Sequence, residues 1–116
     1  MTFKIVRPST IKWPVEVHSP ADGGKFVKRI FEAEFRYDSK AEIDDIGSRL
    51  GSGDLTAEAA LQHVVIGWSG IADADGVDVP FSPSALNQAM EMDGVTDAML
   101  RAYVTAVRGA AGRQKN

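Results

Sequence analysis

His18 and His63 are the only histidines in a chain of 116 residues, and there is no cysteine. Imidazole is the side chain best suited to proton transfer and metal ligation near neutral pH. A zinc pair on one helix face needs two of them about one turn apart, and neither histidine has a second at i+3 or i+4. His18 falls on the polar parity of a strand pattern. His63 lies on a helical pattern whose apolar stripe is Leu61, Val64, Val65 and Trp68. Both read as solvated or hydrogen-bonded structural residues. Without cysteine, disulfides, thiol catalysis, zinc ribbons and iron–sulfur clusters are excluded. Asp44 and Asp45 are neighbours on a helix and diverge by about 100°, so they do not form an acid/base pair. Gly67-Trp68-Ser69-Gly70 has the wrong spacing for a nucleophile elbow. Gly23-Gly24 and Gly51-Ser52-Gly53 lack the Gly-Lys-Ser/Thr ending of a phosphate loop. The run Asp73-Ala74-Asp75-Gly76-Val77-Asp78 invites a calcium reading. Counted from Asp73, however, glycine falls at position 4 and Ser84 stands at position 12, where a calcium loop needs glycine at 6 and glutamate at 12. It reads instead as a turn whose aspartates accept hydrogen bonds from nearby backbone N–H groups. The expectation is no catalytic residue, no metal, no cofactor and no enzyme.

The elements that would position these residues fall into two groups. Ile11, Trp13, Val15 and Val17 alternate with Lys12, Pro14, Glu16 and His18, a half-buried strand with proline suited to a sheet edge. Phe31, Ala33, Phe35 and Tyr37 repeat the pattern after the turn Ser19 to Gly24. Phe26 and Ile30 have the opposite parity from Phe31, which predicts a bulge near Arg29–Phe31. Phe3 to Val6 offers a short third strand. Helices follow. Ser39 and Glu42 make a capping box ahead of Ile43, Ile46 and Leu50. Thr56 or Asp54 caps a second helix ending at Gly67–Gly70. Ser82-Pro83 starts a third that Gly94 stops, and Thr96 caps a fourth bearing Leu100, Tyr103, Val104 and Val107. The fold expected is α+β: an antiparallel hairpin of two or three strands over about 3–38, packed on helices at about 40–50, 56–70, 83–93 and 96–110. It is one domain, 1–116, with frayed ends at 1–2 and 110–116.

Hydrophobic residues make up 44% and charged residues 25%, which fits a globular domain and not a disordered chain. No run approaches the roughly 18 apolar residues of a membrane span, and the first residues carry no apolar signal core. Charge is uneven. Residues 1–38 hold seven basic and five acidic side chains, residues 39–99 two basic and eleven acidic, and residues 100–116 four basic and no acidic. The acidic middle repels phosphate, and the basic end is too sparse for a nucleic-acid patch. It is either a solvated face or a field that steers a basic partner. Trp68 and Phe81 each have two readings, as core or as exposed anchors beside this acidic stretch.

The segments Val64 to Ile71 and Asp73 to Ser82, followed by Leu86 and Tyr103, resemble the tail assembly chaperones of long-tailed bacteriophages. Those proteins show a Gly-Trp-x-Gly segment, an acidic Asp-x-x-Gly loop, a Val-Pro-Phe-Ser helix start and a closing helix with an aromatic. The likeness spans about residues 13–108 and is sharpest over 64–82. It implies a non-enzymatic helper in the host cytoplasm that coats the tape measure protein, recruits tail tube subunits and is absent from the mature virion. Trp68, Asp73, Asp75, Pro80 and Phe81 match the motif and are the candidate partner-binding residues, with no nucleic acid and no membrane involved. Self-association stays open. The alternatives are another small phage or prophage binding module or regulator and, behind it, a small enzyme. Tail chaperones of this kind also come in two lengths through ribosomal slippage, and Gln114-Lys115-Asn116 is compatible with the slip heptamer A-AAA-AAC. The other reading of these residues is an ordinary polar tail. Codons other than CAA-AAA-AAC, or no open frame in the −1 register, would exclude slippage there.

Overall fold

The computed structural model describes residues 2–6 and 8–113, with side chains to residue 109. In chain order the elements are β1 (Thr10–Ala21), β2 (Lys25–Arg36), α1 (Lys40–Ser52), α2 (Ala57–Val64), β3 (Val65–Ser69), α3 (Pro83–Met90) and α4 (Val95–Arg113). The three strands form one antiparallel sheet in the order β1-β2-β3, and the fold is α+β.

Parity decides which face of the hairpin is buried. β1 and β2 pair from Thr10↔Arg36 to Ala21↔Lys25 without a shift, so odd-numbered residues share one face along the whole ribbon. Val15, Val17, Ala33 and Phe35 on that face are buried. The three-residue turn Asp22-Gly23-Gly24 needs φ of 84° and 74° at its glycines, a region closed to most side chains. The expected bulge at Arg29–Phe31 is not there. The apolar phase slip is resolved differently: Phe26 and Ile30 stay on the outer, even face, 69% and 54% exposed. Residues 20–30 are all exposed, so the distal hairpin projects beyond the helices and has no core to face.

The third strand is not the leading segment. Phe3, Ile5 and Val6 are exposed and belong to no strand. β3 comes instead from Val65–Ser69, the stretch expected to end the second helix. Val64-Val65-Ile66 is a β-branched run followed by glycine, which disfavours helix continuation, and β2 offers an open edge to pair with. A register shift between Glu34 and Phe35 leaves Ile66 as the extra residue. Val65 opposite Phe35 and Trp68 opposite Ala33 therefore both lie on the core face, although they are three apart. A bulged strand thus imitates helical spacing.

The helix starts follow their caps. Ser39 and Glu42 complete the capping box, the Thr56 hydroxyl accepts from Ala59 N, and Ser82 accepts from Ala85 N ahead of Pro83. α1 closes on Gly53, whose φ of 86° suits the left-handed cap. α3 ends at Met90, three residues earlier than expected. Thr96 is not a cap. The Gly94 carbonyl takes the first bond of α4, from Ala98 N, while the Thr96 hydroxyl donates to Met90 O. α4 is broken at Gly109, where φ is 65° and ψ is −158°. The slippage reading concerns residues 114–116, which lie outside those described.

α4 packs along β1, and α2 packs against α4, β3, α1 and α3. The core joins Val15, Phe35, Leu61, Val64, Leu86 and Met99. Tyr103 closes it against Phe35 with ring centroids 5.4 Å apart, and burial pushes its phenol above the usual range. Arg108 Nη1 reaches Asp44 Oδ1 at 3.2 Å and ties α4 to α1.

Candidate functional site

Trp68 is placed by β3 and fixed from three sides. Its indole N–H donates to Val79 O at 2.8 Å. Phe31 and Phe81 meet it edge-on, with centroids 6.4 Å and 5.2 Å away. The ring is half-buried: one side packs on the core and another lines a groove.

The loop after β3 folds back as a small clasp. Val79 N donates to Ile71 O, Ala72 bridges Asp78, and Asp73 N donates to Val77 O. Asp73 Oδ1 accepts from Asp75 N at 2.9 Å and Val77 N at 3.0 Å, as a turn aspartate does. This carboxylate is spent on loop shape rather than on a cation.

Between the clasp, the distal hairpin and the end of α3 lies a groove of about 430 Å³. Its apolar surface comes chiefly from Phe31, Trp68, Ile71, Val79, Met92 and Val95. That volume is within the range of small-ligand and side-chain pockets. Of the five motif residues, Trp68 and Asp73 line it. Phe81 buttresses Trp68 without lining it, and Asp75 and Pro80 are exposed outside the lining. Sequence reasoning missed Phe31, which reads there only as a strand residue, together with Val95 at the start of α4 and Met92 just past α3. Met92 is 65% exposed, an apolar side chain with no burial role, and that is the signal that could have found it.

A second cleft, of about 420 Å³, lies between α1 and α2. Ala41, Ile46 and Leu55 line it with Glu42, Asp45, Arg49 and His63. Glu42 is engaged in the capping box, and Asp45 lies 3.9 Å from Arg49. His18 is exposed, 3.9 Å from Glu16. Among the described residues no group of three or more His, Asp or Glu is arranged to hold a metal, and no helix is long and apolar enough to cross a membrane.

The fold and its groove define a small α+β domain with an open apolar recess beside an acidic loop. Comparison with known proteins then places the chain. The family model described as YdaY prophage protein matches residues 21–115, and the chain belongs to that prophage protein family. The matched span holds β2, β3, the clasp and α3, which together supply most of the groove. No curated protein and no solved structure matches the chain.

Proposed function

We propose that this prophage protein is a tail assembly chaperone. In this reading it is not an enzyme. It works in the host cytoplasm, holds the tape measure protein in soluble form, helps recruit tail tube subunits, and is left out of the mature virion. The observation that carries the reading is the open apolar groove walled by Trp68. A long helical protein awaiting enclosure exposes apolar stripes that aggregate unless covered, and a groove of this kind covers one face of a helix. Membership of a prophage family and the resemblance over residues 64–82 support the same reading.

The test is co-expression of the tagged chain with the tape measure protein encoded by the same prophage. The expected result is a soluble tape measure that co-purifies with the chain and is insoluble without it. A tape measure protein equally insoluble, or equally soluble, in both cases overturns the reading.

A further inference from the structure

We infer that the Trp68 groove is specific for an amphipathic helix whose apolar stripe is flanked by lysine or arginine, with Asp75, Asp78, Glu91 and Asp93 as the acids that receive those cations. This rests on the chaperone reading for the identity of the helix, and on the groove alone for its chemistry.

The first support is charge of a single sign. Residues 64–100 carry Asp73, Asp75, Asp78, Glu91, Asp93 and Asp97 and no lysine, arginine or histidine. Among the described residues, Asp75, Asp78, Glu91 and Asp93 are exposed and have no ion pair, as Asp54, Glu58 and Asp97 also have none. The first four adjoin lining residues without lining the groove themselves: Asp75 and Asp78 lie in the clasp between Asp73 and Val79, and Glu91 and Asp93 flank Met92. Asp73, in the lining, is occupied by backbone donors. Like charges gathered on one side of a recess repel each other, and a basic partner relieves that repulsion. The groove's single basic lining residue, Arg29, stands on the opposite hairpin wall, so the acidic border is one-sided.

The second support is the shape and stiffness of the recess. Trp68 is immobilised by its hydrogen bond and two edge contacts, which makes a preorganised wall. Met92 on the far side is exposed, and its flexible thioether adapts to varied apolar side chains. Apolar residues at i, i+3 or i+4 and i+7 of a helix span about 10 Å, and a recess of about 430 Å³ takes two or three such side chains. A long partner with many such stripes is then met by one adaptable site, with its basic flank setting orientation.

The experiment uses the full chain with Trp13→Phe, leaving Trp68 as the fluorescent reporter, and two helical peptides of identical apolar stripe. One carries flanking lysines and the other flanking glutamates. The lysine peptide is expected to bind at least about 10-fold more tightly, to weaken with added salt, and to lose that advantage in the double variant Asp75→Lys/Asp93→Lys. Met92→Asp is expected to abolish binding of both peptides, with unchanged circular dichroism. Equal binding of the two peptides, or binding of neither, overturns the inference. The co-purification assay separates it from the parent reading. If the tape measure protein is held equally by wild type, Asp75→Lys/Asp93→Lys and Met92→Asp, the groove inference fails and the chaperone reading stands. If the lysine peptide binds but the tape measure protein does not, the reverse holds.

Discussion

Two clefts of nearly equal size differ in what borders them. The one between α1 and α2, about 420 Å³, is lined by Glu42, which holds a cap, and Asp45, which faces Arg49. The one at Trp68, about 430 Å³, exposes more apolar surface and lies beside Asp75, Asp78, Glu91 and Asp93, which have no ion pair among the described residues. The difference teaches that volume alone does not mark a site. Satisfied polar groups make a cleft inert, whereas unspent apolar surface and unspent charge leave something for a partner to gain.

The comparison breaks most completely if α3, which lines the groove through Ala85, Gln88 and Ala89, loses its hold on the core. Leu86 of α3 is fully buried, and Leu86→Ala is expected to cost about 2–5 kcal/mol through lost burial and a cavity. Urea unfolding checks this, and a loss under about 1 kcal/mol would show that α3 does not rest on the core. Trp68→Ala comes next. Half-burial limits the expected cost to about 2 kcal/mol, and the groove should lose its apolar ligands while the α1–α2 cleft is untouched. Preserved binding would remove Trp68 from the site.

Asp73→Ala should cost about 1 kcal/mol by freeing two backbone donors, and should speed amide exchange at Asp75 and Val77. Unchanged exchange would mean the clasp holds without its carboxylate.

The smallest effect belongs to the α1 side. The Lys40 hydrogen bond, aided by Arg108, holds the Asp44 carboxyl below the ordinary carboxylate range. A depressed folded-state pKa gives stability that is present above the unfolded value and is lost as pH falls through the folded one. Asp44→Asn is therefore expected to be slightly less stable than wild type at pH 7, with the difference shrinking as pH falls below about 4. A gap that persists at pH 2 would assign the effect to something other than this charge.

Much of this was legible in the order of residues. Local signals state their outcome within a few positions. Ser39 with Glu42 and Ser82 with Pro83 each satisfy or dispense with helix N–H groups using nearby atoms, and those starts stand where the pattern puts them. The alternation of Val15, Val17, Ala33 and Phe35 needs only two-residue parity, and the buried face follows from it. Of the five motif residues, Trp68 and Asp73 line one groove because the clasp that joins them is local, Phe81 touches Trp68 from outside it, and Asp75 and Pro80 stay outside the lining.

Tertiary structure decided the rest. Val65–Ser69 became a strand because β2 had an edge to fill, and one bulge made its spacing read like a helix. Phe3–Val6 has the composition of a strand yet joins neither edge of the sheet, β1 or β3. Phe26 and Ile30 alternate like core residues yet lie in the open, because the helices end before the hairpin does. The groove joins Phe31, Trp68, Val79 and Met92 from four separate segments. Burial and recess are properties of what packs opposite a residue, and in those four cases the opposite partner is either distant along the chain or not there, which periodicity does not reveal.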